Sequence, residues 1–172
     1  MLTKDDLLLM LNESRISYKN HHHEPLFTVE DSVKKRGLID GAHSKNLFLK
    51  NKKKEFFLFS CLENTKIELK KIGKCLNLGN LSFANEVILK EKLGVLPGSV
   101  TPFGLLNDKE NSTNLYLDSG FFSYQKTNFH PLINTYTISL DINDLKSFLT
   151  AKNKKVYIFD FKNYSLINSI NI

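Results

Sequence analysis

Gly41-Ala42-His43-Ser44-Lys45-Asn46-Leu47-Phe48-Leu49-Lys50 is the stretch whose reading decides the fold. From Leu47 onward it alternates as a strand does, with Leu47 and Leu49 on one face and Asn46, Phe48 and Lys50 on the other. Carrying the two-residue period backwards puts Lys45 and His43 on the Leu47/Leu49 side. If that side is the buried one, an ammonium group enters the protein at the mouth of an apolar layer. A buried, unpaired lysine is costly because the interior disfavours its charged form. Such a residue is paired, reaches water along its stem, or takes part in chemistry.

Working outward, Gly37 and Gly41 break the chain ahead of this strand, and Phe56–Ser60 forms the second arm of a hairpin around the charged turn Asn51–Glu55. On the N-terminal side, Thr3-Lys4-Asp5-Asp6 has the form of a capping box ahead of Leu7, Leu8 and Leu11. It predicts a first helix ending near Asn12–Ser14, with a short strand at Ile16–Tyr18. Thr28 is predicted to cap a second helix that turns Val29 and Val33 inward.

On the C-terminal side the pattern predicts an amphipathic helix over Ile67–Leu76, a brief strand at Leu81–Phe83 and a helix over Asn85–Leu93 stopped by Gly94. Pro97–Gly104 reads as a shaped loop leading into a strand. Thr113–Asp118, Asn134–Leu140 and a final Val156–Asp160 read as strands, and Asp141 caps a helix through Leu149. Phe121–Tyr124 fits helix or strand equally. Strands interleaved with helices but joined partly by hairpins imply a mixed sheet. The expectation is one α+β domain over 1–162, with a C-terminal extension, 163–172, of no assigned role.

A chain of 172 residues builds one sizeable core. Its formal charge of +6 and pI near 9.2 favour a polyanionic partner. The basic clusters Lys34-Lys35-Arg36, Lys52-Lys53-Lys54, Lys70-Lys71 with Lys74, and Lys152 with Lys154-Lys155 make a nucleic-acid surface only if they converge on one side. Cys61 and Cys75 lie outside zinc or redox spacings and read as reduced and structural. The run His21-His22-His23 is not expected to bind metal, because successive side chains of an extended segment point to opposite faces and no second ligand cluster follows. No apolar run approaches the roughly 18–20 residues that span a bilayer. The N-terminus begins as a charged helix, so a cytoplasmic protein without membrane contact is expected. G-x-S-x-G, H-E-x-x-H, P-loop and G-x-G-x-x-G motifs do not occur in the sequence. What remains is a reaction of modest barrier, run without metal or cofactor.

Three segments, His43–Leu49, Gly98-Ser99-Val100-Thr101-Pro102-Phe103-Gly104 and Asn128-Phe129-His130-Pro131 through Thr137, resemble in their order the YbaK-like family of aminoacyl-tRNA deacylases. The resemblance runs from Thr3 to Asp160. It points to the free-standing branch related to the editing domain inserted in bacterial prolyl-tRNA synthetases. It implies a curved, partly barrel-like mixed sheet with flanking helices, and hydrolysis of an aminoacyl ester. That ester is already activated and needs mainly positioning, a polarised carbonyl and a water.

In the roles the resemblance implies, Lys45 is the catalytic cation. Gly98, Ser99, Val100, Thr101 and Pro102 form the loop that grips the aminoacyl end. His130 lines the pocket, Asn46 and Asn128 position polar groups, and Val29, Val33 and Leu47 shape the pocket wall. This arrangement requires the Lys45 amine and the loop donors to face one void. The expected substrate is alanine misattached to proline tRNA, with cysteine or another small residue, or a non-catalytic tRNA-binding module, as alternatives. The expected partner is tRNA, with docking to prolyl-tRNA synthetase left open, and the expected state is a monomer.

Overall fold

A computed structural model of the chain describes residues 1–26, 28, 30, 34 and 37–170, with the backbone alone for 168–170. The strands are β1 (Tyr18–His22), β2 (Ala42–Lys50), β3 (Phe56–Leu62), β4 (Ser82–Phe83), β5 (Thr113–Asp118), β6 (Thr127–Phe129), β7 (Tyr136–Leu140), β8 (Val156–Asp160) and β9 (Ser165–Ile170). The helices are α1 (Lys4–Glu13), α2 (Leu69–Cys75), α3 (Glu86–Leu93) and α4 (Ile142–Ala151), with 3-10 helices at Pro102–Asn107 and Ser119–Ser123. The predicted second helix, with Val29 and Val33, falls largely outside the described residues.

One mixed sheet runs β1-β7-β6-β2-β3-β5-β8-β9, with β4 on β2. β2–β3 is antiparallel, while β2–β6, β3–β5 and β5–β8 are parallel. The sheet does not close: β1 and β9 remain at its two ends, so the barrel-like element of the expectation is limited to an open mixed sheet. Two apolar layers cover its centre. Phe48, Leu58, Leu115 and Leu117 face α1, α3 and α4, whereas Leu49, Phe57, Phe59, Tyr116 and Phe159 face Ile72 of α2. Burial on both faces explains why Phe57–Phe59 reads as an unbroken apolar run rather than an alternation.

β2 starts five residues before its apolar alternation, and Gly41 is the reason. Its φ of +100° is open to glycine, and a Cβ there would sit 2.5 Å from the Lys126 carbonyl. That close approach lets Ala42 N donate to the same carbonyl at 2.9 Å, which begins the β2–β6 pair. The α1 capping box forms between Thr3 and Asp6, and Asp141 and Gly94 cap as predicted. The structure differs from the sequence reading in four places. The first strand is Tyr18–His22, Pro102–Asn107 is a 3-10 helix rather than the entry to a strand, β6 is an additional strand, and β9 follows β8.

The parallel ladder aligns Phe56 with Thr113 and Leu115 with Val156, so the starts of β3, β5 and β8 share one end of the sheet. Lys52, Lys53, Lys54, Lys109, Lys152 and Lys155 are exposed on the loops at that end. The turn carrying Lys52–Lys54 is tied to the segment after α2, because Asn51 Nδ2 donates to the Leu78 carbonyl at 3.1 Å.

Candidate active site

The β2–β6 junction brings the predicted polar residues together. Only Ala42↔Thr127 and His43↔Asn128 pair across it, and carrying that register two residues on puts Lys45 and His130 on one face. Asn128 is 2% exposed and fully used: Nδ2 donates to the Asp40 carbonyl at 2.9 Å, and Oδ1 accepts from the Ser139 hydroxyl. Its own carbonyl accepts from Ser44 Oγ at 2.8 Å. Asn46 points the other way, accepting from Ser60 Oγ at 2.6 Å and donating to Ser44 Oγ at 3.2 Å. Ser60 is directly opposite Asn46 on β3, so Asn46 belongs to the opposite face from Lys45.

Lys45 is half-buried, and its Nζ donates to the Thr65 carbonyl. Among the described residues it pairs with no carboxylate. It lines a concavity of about 630 Å³ with Leu47, Asn64, Thr65, Lys66, Ile67 and Glu68. Opposite it on β3, burial pushes the Cys61 thiol up to about 12, so this sulfur stays protonated and donates to the Lys45 carbonyl rather than acting as a nucleophile.

The loop Gly98–Pro102 does not line that concavity. Pro97 and Gly98 form the corner of a turn in which Gly98 has φ +86° and Ser99 N donates to the Leu96 carbonyl at 3.0 Å. Among the described residues the backbone N–H groups of Val100 and Thr101 have no hydrogen-bond partner, and neither does the buried Thr101 hydroxyl. Pro102 opens the 3-10 helix, and Phe103 behind it packs edge-on against Phe129 at 6.5 Å. The loop is thus anchored behind His130, at the β6 side of the junction. Val29 and Val33 lie outside the described residues.

His130 donates from Nδ1 to the Tyr136 carbonyl at 2.9 Å, which leaves Nε2 as the lone-pair nitrogen of a neutral ring. Burial is the main cause that holds its pKa below the usual histidine value, with the His23 and His43 imidazoles adding to it. His23 itself was not predicted. It bonds the Glu24 carbonyl and Thr137 Oγ1, both at 2.8 Å, and its ring lies 6.1 Å from that of His130. β1 ends at His22 and its polar Lys19–His22 run carries no apolar alternation, so no local signal marked His23.

A depressed histidine pKa means that the unfolded chain takes up the proton first. The stability from neutral His130 is whole above pH 6.5, the unfolded value, and is lost as pH falls toward the lower folded one. The thermal midpoint should therefore drop between pH 7.5 and 5.5. His130→Gln should show a smaller drop over that interval in paired melting curves; an equal drop would remove His130 as a cause.

Residues 23–148 match the family model described as the aminoacyl-tRNA editing domain. The chain belongs to that family and is an aminoacyl-tRNA deacylase. It is similar to the prolyl-tRNA synthetase associated domain-containing protein 1 of Xenopus laevis, 36% identical over 163 residues, covering 92% of this chain and 96% of that one. It is also similar to the prolyl-tRNA editing protein ProX of Acetoanaerobium sticklandii, 31% identical over 156 residues, with 88% and 93% covered. A crystal structure described as a candidate trans-editing enzyme for prolyl-tRNA synthetase shares the fold, with a TM-score of 0.69 at 16% identity over 98% of this chain and 99% of the other. Among the described residues no helix is long and apolar enough to cross a membrane.

Proposed function

We propose that the chain is a free-standing, monomeric trans-editing deacylase that removes alanine from mischarged proline tRNA. The observation that carries the reading is Lys45: a cation without a carboxylate partner among the described residues, held by one main-chain carbonyl at the rim of a concavity. Such a group stabilises the oxyanion that develops when water attacks the ester carbonyl. Leu47 beside it bounds the amino-acid side chain. Gly98 and Ser99 set the turn that Pro102 carries into the 3-10 helix, and because this loop does not line the Lys45 concavity it is assigned no contact with the ester. His130 Nε2 accepts from the attacking water or the substrate ammonium, while Asn128 orients its strand and Asn46 steadies β2 from the far side.

A synthetase pocket sized for proline rejects smaller residues weakly, because losing a methylene costs only about 1–3 kcal/mol. A second, smaller site sorts the other way, admitting alanine and excluding proline. Deacylation of proline tRNA charged with alanine, cysteine or proline tests this. Alanine should be released at least about ten-fold faster than proline. Faster release of cysteine than alanine would reassign the substrate, and binding without any hydrolysis would sink the reading.

The lysines support a tRNA substrate. Lys66 at the concavity leads along α2 through exposed Lys70 and Lys74 to Lys52–Lys54 at the sheet end. Lys52→Gln/Lys53→Gln/Lys54→Gln should weaken tRNA binding whatever amino acid is attached. It should also flatten the slope of log affinity against log salt by about 2. An unchanged slope would exclude this surface from the contact.

A further inference from the structure

Beside the Lys45 concavity, and sharing Thr65, Lys66 and Glu68 with it, lies a groove of about 620 Å³. Its far wall is the 118–120 turn and the segment Asp160–Tyr164. Lys162 and Tyr164 lie beyond the 23–148 span of the family match.

The groove's carboxylates are already committed. Asp118 accepts from Leu62 N at 3.2 Å and Gly120 N at 2.9 Å. Asp160 accepts from Lys162 N, Asn163 N and Asn163 Nδ2 at 2.8–2.9 Å, and Glu68 holds Lys71 at 2.6 Å. The exposed amines of Lys66 and Lys162 pair with no carboxylate among the described residues. Tyr164 lines the same groove, half-buried against the α2 layer with φ +52°, its hydroxyl 3.5 Å from Glu68 Oε1 and its carbonyl accepting from Cys75 Sγ. Lys71 Nζ lies 5.3 Å from its ring centroid and keeps Glu68 as a partner when something else takes the ring face.

An aromatic ring and two ammonium groups without carboxylate partners among the described residues, lining one groove beside the ester, have the chemistry of a nucleotide subsite. Bases stack on aromatic rings with little regard to sequence, and ammonium groups meet the phosphate. The volume falls within the range of small-molecule sites. We propose that this groove holds the nucleotide immediately 5′ of the aminoacylated one, its base on Tyr164 and its phosphate between Lys66 and Lys162. The proposal rests on the reading of Lys45 as the group at the ester. The C-terminal segment then contributes to substrate binding, and the acceptor strand leaves the groove toward the lysines of α2.

The test compares three esters of the same amino acid: full tRNA, a 3′-terminal trinucleotide and the terminal nucleoside alone. Tyr164→Ala should raise KM about ten-fold for the first two, leave kcat unchanged, and leave the nucleoside ester unaffected. Tyr164→Phe, which keeps the ring, should behave as wild type. Lys162→Gln, an exposed change with no bearing on folding, should raise KM several-fold for the same two substrates. Equal losses on all three esters, or no loss on the trinucleotide with either Tyr164→Ala or Lys162→Gln, would overturn the subsite. Wild-type protein inactive on all three would overturn the deacylase reading beneath it, a distinguishable result.

Discussion

Lys45→Ala is expected to lower kcat/KM for ester hydrolysis by about 10²–10³-fold, the usual cost of removing one group that stabilises a developing oxyanion. The thermal midpoint should hardly move. The amine makes one hydrogen bond, to the Thr65 carbonyl, and a neutral-acceptor bond of this kind contributes about 1 kcal/mol net. In a chain of this size that corresponds to roughly 2–4 °C. The Thr65 carbonyl stays at the rim of an open concavity, where water replaces the amine. Lys45→Arg keeps the charge but replaces a compact ammonium with a planar fork, so it should recover only part of the rate. Steady-state deacylation beside a melting curve decides the matter. Turnover within about three-fold of wild type for the alanine variant would remove Lys45 from the chemistry.

What the sequence made legible was local. The Thr3–Asp6 box, the Asp141 cap and Gly94 beyond α3 are signals carried by a few adjacent residues, and each sits where the pattern put it. The β2–β3 hairpin was legible for the same reason: Leu47–Lys50 and Phe56–Ser60 flank a charged turn. β6 was not. Thr127, Asn128 and Phe129 are all buried, yet two of the three are polar, because their hydrogen bonds go to Leu140, Asp40 and Ser139 across the sheet. Burial paired with polarity erases the hydrophobic period on which strand reading depends. β9 escaped for the opposite reason, since Leu166 and Ile167 are exposed at the sheet edge and show no alternation.

The candidate site divides in the same way. His43 and Asn128 meet through a parallel pair that no local pattern encodes. The separation of the Pro102 loop from the Lys45 concavity follows from the 3-10 turn that anchors Phe103 on Phe129. Glycine and proline spacing told that the loop was shaped, and only the packing of Phe103 told toward which strand.

That parallel pair is the weak point of the architecture, and Asn128→Ala should expose it. Removing the amide strands the Ser139 hydroxyl, 2% exposed, whereas the carbonyl of exposed Asp40 can turn to water. An unsatisfied buried group costs about 1–3 kcal/mol, so a loss of roughly 2 kcal/mol and a fall in thermal midpoint of about 4–8 °C are expected. Activity should fall as well, although Asn128 is assigned no contact with the ester, because the Ala42↔Thr127 and His43↔Asn128 pairs and the Ser44 hydroxyl bond to the Asn128 carbonyl hold β2, the strand of Lys45, against β6. Asn128→Asp separates the two hydrogen bonds. It can still accept from Ser139 but sets an oxygen where Nδ2 donated to the Asp40 carbonyl at 2.9 Å. If that donation holds the junction, the aspartate variant melts as low as the alanine variant; if the Ser139 bond does, it melts close to wild type. An alanine variant melting within about 2 °C of wild type would show that the junction stands without this amide.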